Sequence, residues 1–233
     1  MKRDQLIVAL DLESAQKARE IVSLLGNTVI FYKVGMRLFT KEGPPFIAWL
    51  KKKKKKIFLD LKFHDIPNTV AQAVESATQL GVDLLTIHAS GGPEMLEAAA
   101  KSARAAARKY KKPRPQIFAV TVLTSLSDLS YLGLSDSISD QALRLARLAL
   151  KSKLDGVVCS PQEIKMIKRN FGKKLKVLSP GIRFEEKSAD DQKRIASPLK
   201  ALREGADYLV IGRPILLSAK PREMVRRIFS SVK

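Results

Sequence analysis

Asp60, Lys62 and Asp65 crowd into one short stretch, Asp60-Leu61-Lys62-Phe63-His64-Asp65-Ile66-Pro67-Asn68-Thr69. The apolar run Ile57-Phe58-Leu59 precedes it, so the stretch reads as the C-terminal end of a strand passing into a loop. Side chains on a strand alternate faces, which turns Asp60 and Lys62 to one side and Leu61 to the other. Charges brought against a core are costly unless they neutralise one another. Lys33, after Phe31-Tyr32 at the end of an earlier strand, extends the set to an alternating chain with Asp60, Lys62 and Asp65. An ammonium fixed in such an array can stabilise developing negative charge and then donate a proton. That suits a reaction that creates and quenches a carbanion. A structural ion-pair network is the competing reading of the same residues.

Other chemistries find less support. A single cysteine, Cys159, excludes an intrachain disulfide and a cysteine-cluster metal site, and reads as a small buried residue near a strand end. The two histidines, His64 and His88, are not at ligand spacing. A carboxylate-held Mg²⁺ would be repelled by Lys33 and Lys62. No serine stands in a Gly-x-Ser-x-Gly setting.

The elements that must position these residues alternate along the chain. Short apolar runs predict strands at 6–10, 30–34, 57–61, 84–88, 117–123, 156–159, 175–179 and 208–211. Helix-period segments lie between and after them, at 15–25, 44–50, 70–80, 93–109, 140–151, 161–170, 198–204 and 221–232. Pro93, Pro161, Pro198 and Pro221 suit first helical turns. This alternation predicts a closed (β/α)₈ barrel, with a doubly wound open sheet as the alternative; the latter lacks a glycine fingerprint after the first strand. No Pro/Gly/Ser-rich linker divides the 233 residues, so one domain is expected.

In such barrels the site lies at the strand C-termini. The polar residues there include Asp11, Lys33, Asp60, Lys62, His88, Thr124, Arg183 and Arg213. The last two strands run into Pro180-Gly181-Ile182-Arg183 and Ile211-Gly212-Arg213-Pro214-Ile215. Loops seven and eight of these barrels often hold phosphate. Gly212 permits close backbone approach, and Arg213 adds a fork of charged donors. The polar segment 184–194, with no strong apolar period, reads as a lid over that phosphate or as an ordinary surface loop.

The Asp-x-Lys-x-x-Asp-Ile-Pro-Asn-Thr run at 60–69 closely resembles the signature of the orotidine 5′-phosphate decarboxylase family. Val8-Ala9-Leu10-Asp11, Tyr32-Lys33-Val34-Gly35, Leu123-Thr124-Ser125, Pro180-Gly181-Ile182-Arg183, Asp190-Asp191-Gln192-Lys193-Arg194 and Ile211-Gly212-Arg213-Pro214-Ile215 fall in the family's order. The resemblance implies a homodimeric barrel that converts orotidine 5′-phosphate to uridine 5′-phosphate and CO₂, the last step of de novo UMP synthesis, with no metal and no organic cofactor. It implies Lys62 as proton donor to C6, Asp60 beside the departing carboxylate, and Lys33 and Asp65 completing the charge network. Asp65, Ile66 and Thr69 would reach a neighbouring subunit's site, Thr69 through a ribose hydroxyl. Asp11 and Lys33 would bind ribose and Thr124 the base. Gln192, Gly212 and Arg213 would hold the phosphate, with Arg183 in the substrate-binding loop. Sister enzymes on the same barrel act on sugar phosphates, share the Asp-x-Lys-x-x-Asp pattern and bind Mg²⁺ with a Glu where Lys33 stands. Lys33 and the Ile-Pro-Asn-Thr extension argue against them.

A net charge of +20 stands outside that pattern. The lysine run 51–56 follows Phe46-Ile47-Ala48-Trp49-Leu50 and reads as a solvated helix end, where cations complement the dipole, with a nucleic-acid patch as the lesser alternative. No aromatic residue interleaves with the lysines to stack on bases, so no specific nucleic-acid partner is expected. The first apolar run is too short for a signal-peptide core, and no apolar run approaches the roughly 20 residues that span a bilayer. A cytoplasmic protein without membrane attachment is expected.

Overall fold

The computed structural model describes residues 1–184 and 194–232. Eight parallel strands close into a barrel in chain order. They are β1 (Leu6–Ala9), β2 (Phe31–Gly35), β3 (Lys56–Phe63), β4 (Leu84–His88), β5 (Gln116–Val120), β6 (Gly156–Val158), β7 (Lys176–Ser179) and β8 (Tyr208–Ile211). Closure comes from β1 on β8, with Leu6, Ile7 and Val8 in register with Leu209, Val210 and Ile211. The helices are α1 (Ala15–Leu25), α2 (Met36–Lys52), α3 (Pro67–Gln79), α4 (Gly92–Lys109), α5 (Ile138–Lys151), α6 (Ile164–Phe171), α7 (Pro198–Arg203), α8 (Arg213–Leu216) and α9 (Pro221–Ser230). Among the described residues no helix is long and apolar enough to cross a membrane.

Strand alternation divides the core in two. One set of side chains, including Val8, Tyr32, Leu59 and Leu85, packs outward against the helices. The other, including Ile7, Phe31, Phe58, Leu84 and Phe118, fills the barrel interior. That inner plug closes the barrel from below and leaves the strand C-termini to form a pocket.

Several boundaries differ from the sequence expectation, two of them because of proline. The helix expected at 44–50 begins at Met36 and is broken at Gly43 (φ 57°, ψ −155°), because Pro44 and Pro45 cannot continue the preceding ladder. The helix expected from residue 70 starts at Pro67, whose fixed φ suits the first turn; Pro67, Asn68 and Thr69 are therefore helical and not loop. The fifth strand, expected to reach residue 123, leaves the sheet after Val120.

The lysine run is only partly a solvated helix end. Lys51 and Lys52 close α2. Lys55 is buried, and its ammonium donates to the carbonyls of Gly26 at 2.6 Å and Val29 at 3.1 Å, tying down the α1–β2 connection.

Helices α2, α4 and α5 end alike. Lys54 (φ 54°), Lys111 (φ 51°) and Lys153 (φ 59°) each take the left-handed conformation just beyond the helix. The next amide then reaches back, Lys55 to Leu50, Lys112 to Ala107 and Leu154 to Ala149, at 3.0–3.1 Å. This closure favours glycine, which takes a positive φ after α3 and α7 as Gly81 and Gly205. A side chain in that conformation costs about 1–2 kcal/mol.

Candidate active site

The pocket at the strand C-termini encloses about 440 Å³. It gathers Asp11, Lys33, Asp60, Lys62, Thr124, Arg183, Gly212 and Arg213 from strands or loops that are far apart in sequence. Phe58, Val158, Leu178 and Val210 form its apolar floor, continuous with the barrel plug.

Its charged wall is a four-membered chain. Lys33 Nζ lies 2.8 Å from Asp11 Oδ1 and 3.4 Å from Asp60 Oδ2. Lys62 Nζ donates to both oxygens of Asp60 at 2.9 Å. Lys33 and Asp60 are each only 8% exposed, so each is nearly stripped of water and depends on its partners. Burial pushes the Asp60 carboxyl up. Lys33 and Lys62, with the Thr86 hydroxyl, more than reverse this and leave it below the usual carboxylate range. Burial likewise opposes the Lys33 ammonium, and the carboxylates of Asp60 and Asp11 outweigh it, raising its pKa. Both groups are therefore charged at neutral pH.

Asp60 and Lys62 do share a side, as strand alternation predicts, but not by regular alternation. Register against β4 shifts between Leu59 and Phe63, and Lys62 sits in the left-handed region at φ 50°. A β-bulge of this kind re-aims a side chain at some cost in backbone strain. Thr86 compensates: its hydroxyl oxygen accepts from the Lys62 amide at 3.1 Å, and the hydroxyl donates to Asp60 Oδ1 at 2.9 Å. Thr86 is fully buried and holds both members of the pair. Sequence reasoning missed it, although a hydroxyl inside the apolar run Leu84-Leu85-Thr86-Ile87 was the available signal. Gly35 was missed as well. A Cβ there would stand 2.8 Å from Lys33 Nζ and 2.9 Å from Asp11 Oδ1, so the Lys33–Asp11 pair requires its absence.

Asp65, Ile66 and Thr69 lie outside this array. All are exposed, Ile66 at 67%, and the Asp65 carboxylate accepts from the Ile66 amide at 2.7 Å. Within one chain the fourth charge is thus Asp11, not Asp65. The sequence had set the histidines apart, but the fold brings them together: the rings of His64 and His88 lie 5.2 Å apart. Burial, then His64 and Lys62, lower the His88 imidazole pKa, against a small opposing effect of Asp60. Among the described residues no cluster of three or more His, Cys, Asp or Glu is placed to hold a metal ion. Cys159 is buried and free just beyond β6, in the structural role expected of it.

The side of the pocket expected to hold phosphate is built from Gly181 (φ 77°), Arg183, Gly212 and Arg213. A Cβ on Gly212 would come within 3.3 Å of the Ala9 side chain, so glycine lets the β8 exit pass close to β1. The loop after Arg183 is pinned at its base, where Arg183 N donates to Ala196 O at 2.9 Å and Ala196 N to Gly181 O at 3.2 Å. Arg194 anchors the same base to Glu163 at 2.5 Å and to the carbonyl of Leu123, beside Thr124, at 2.9 Å. Gln192 and the lid expected over the phosphate fall mainly at 185–193, outside the described residues.

A closed parallel barrel whose strand C-termini combine a buried Lys/Asp array with glycine- and arginine-bearing loops seven and eight defines a (β/α)₈-barrel enzyme with a site shaped for a small phosphorylated ligand. The family model described as Orotidine 5′-phosphate decarboxylase / HUMPS family matches residues 4–228. The chain belongs to this family. It is 45% identical over 231 residues to a protein of Mannheimia succiniciproducens named orotidine 5′-phosphate decarboxylase, covering 98% of this chain and 97% of that one. It is 47% identical over 223 residues to the one so named from Legionella pneumophila (strain Paris), covering 95% and 96%. The crystal structure of orotidine 5′-phosphate decarboxylase from Lactobacillus acidophilus superposes with a TM-score of 0.85 at 36% identity, covering 98% of both chains.

Proposed function

We propose that the chain decarboxylates orotidine 5′-phosphate to uridine 5′-phosphate and CO₂ in pyrimidine biosynthesis. The observation that carries this reading is the Asp11–Lys33–Asp60–Lys62 chain facing Gly212 and Arg213 across one pocket. When the bond from C6 to the carboxylate breaks, the electron pair stays on C6 in the ring plane, where the ring delocalises it little. Lys62 stabilises that charge as it develops, then gives one proton to C6, so that CO₂ leaves and the C–H bond replaces the C–C bond. Asp60 keeps Lys62 aimed and charged, and lies beside the departing carboxylate. Asp11 and Lys33 bind ribose, Thr124 the base, and Gln192, Gly212 and Arg213 the phosphate, with Arg183 on the closing loop. Because the ammonium supplies the positive charge, the reading calls for neither metal nor organic cofactor.

The family description covers a second activity, and Lys33 weighs against it. A cation bonded to both Asp11 and Asp60 occupies the ground that a carboxylate-bound Mg²⁺ would need. The exposed trio Asp65, Ile66 and Thr69 supports a homodimer in which each chain completes its partner's site. An exposed isoleucine beside an exposed carboxylate is what such a contact would bury. The same reading makes the protein a cytoplasmic enzyme.

The test is CO₂ release from orotidine 5′-phosphate by purified protein in EDTA. Turnover that survives the chelator supports the reading; no turnover, or turnover restored only by Mg²⁺, rejects it. Mixing inactive Asp60→Ala and Asp65→Ala chains is expected to restore part of the activity. Failure to do so after confirmed subunit exchange rejects the shared site.

A further inference from the structure

Part of the excess positive charge gathers at one end of the barrel. In a parallel barrel every connection from a helix to the next strand ends at the strand N-termini, the face opposite the pocket. Ion pairs confirm that these connections share one rim: Lys56 reaches Asp4, Lys51 reaches Asp83, and Arg114 reaches Asp155. The connections into β3, β5, β6 and β7 carry exposed lysines and arginines, whereas Asp4, Asp83, Asp155, Glu204 and Asp207 are all partly buried.

Three of those carboxylates do structural work. Asp83 accepts from the Ile57 amide, Asp155 from that of Ile117, and Asp207 from that of Val177, each at 2.7–2.8 Å. Each aspartate precedes one strand and pins the start of its neighbour, which leaves little negative charge at the surface. Among the described residues Lys52, Lys112, Lys173 and Lys174 are exposed on this rim without an ion pair.

Lys54, Lys111 and Lys153 occupy left-handed positions on the same rim, where glycine serves after other helices of this barrel. Cations anywhere in a helix's last turn satisfy the dipole. The dipole therefore does not explain lysine at the one position where a side chain is unfavourable.

We propose that this rim binds the phosphate backbone of nucleic acid without regard to sequence. The composition selects that partner. Lysine is depleted in protein–protein interfaces. Stable attachment to a lipid surface takes an apolar or lipid anchor besides a basic patch, but the exposed large apolar side chains Met36, Ile66, Leu123, Tyr131, Leu132 and Leu217 belong to the pocket side, and among the described residues only Leu24 lies near this rim. With no exposed aromatic residue on it for base stacking, the rim reads backbone charge alone, and a duplex, with its denser phosphate charge, should bind more tightly than a single strand.

The experiment is binding of a fluorescent 20-base-pair duplex of arbitrary sequence to the full chain, titrated with salt and with uridine 5′-phosphate as competitor. The expected result is an affinity that falls about 100-fold between 50 and 200 mM salt, as for about four neutralised phosphates, and that the nucleotide does not displace. Two variants separate charge from structure. Lys52→Glu/Lys112→Glu/Lys173→Glu/Lys174→Glu should abolish duplex binding and leave decarboxylation intact. Lys54→Gly/Lys111→Gly/Lys153→Gly should weaken binding about tenfold with an unchanged or raised melting temperature. Absence of binding at 50 mM salt, displacement by the nucleotide, equal affinity for anionic vesicles, or glycine variants that melt lower yet bind as before would each overturn the proposal.

Discussion

At the pocket end of the barrel, Lys33 and Lys62 are held by Asp11 and Asp60 within 3.4 Å. At the other end, Lys52, Lys54, Lys111 and Lys112 stand in solvent without an ion pair among the described residues. The residue types are the same, but their energetics differ. A buried ammonium depends on its partners: removing a carboxylate leaves a charge that cannot be solvated, at about 3–5 kcal/mol. An exposed lysine is hydrated whether paired or not, and a surface pair contributes about 0–1 kcal/mol. Charge at the pocket is therefore fixed in position and fit for chemistry. Charge at the rim is an additive, salt-screened field.

The strongest way to break this contrast is at Lys62. Lys62→Ala should lower kcat by at least about 10³-fold, the range of a lost general acid, while affinity for uridine 5′-phosphate stays within a few-fold. Steady-state kinetics and product titration check the two halves. Gly35→Ala tests how far the pair at Lys33 is fixed by space. The added methyl has to displace the Lys33–Asp11 contact, and kcat/KM should fall about 10- to 100-fold, with little change in fold by circular dichroism. Thr86→Val leaves the Lys62 amide and one Asp60 oxygen without their hydroxyl partner. It should cost about 1–3 kcal/mol in urea unfolding and reduce kcat less than the lysine substitution does.

The pH dependence of stability gives the smallest and most specific effect. The folded pKa of Asp60 lies below its unfolded value, so its contribution is complete above the ordinary carboxylate range and is lost as pH falls through the lowered folded value. Asp60→Asn should flatten that acid limb of the stability profile. An acid limb as steep as in the unsubstituted protein would mean that Asp60 is not held as the ion pairs require.

Much of this molecule was legible in its sequence because the pattern is local. Apolar runs alternating with helical periods give the barrel. The barrel rule then collects Asp11, Lys33, Asp60, Lys62, Thr124, Arg183, Gly212 and Arg213 into one pocket. What escaped depends on three-dimensional register. The β3 bulge that turns Lys62 onto Asp60 needs knowledge of where β4 lies, and so does the role of Thr86. Gly35 looks like any strand-end glycine until Lys33 and Asp11 meet beside it. Lys55 belongs to a run of identical residues, and only the fold distinguishes it as the one that turns inward. The histidines stand far apart in the chain, and β3 beside β4 is what makes them neighbours.

The most direct measurement is the turnover of orotidine 5′-phosphate in EDTA at one ionic strength, comparing Lys62→Ala with Lys52→Glu/Lys112→Glu/Lys173→Glu/Lys174→Glu. Lys62→Ala should lose turnover by at least about 10³-fold, and the rim variant, after four charge reversals, should keep the kcat of the unsubstituted chain. A Lys62→Ala protein that still turns over near the original rate, or a rim variant that does not, would contradict the contrast between pocket and rim.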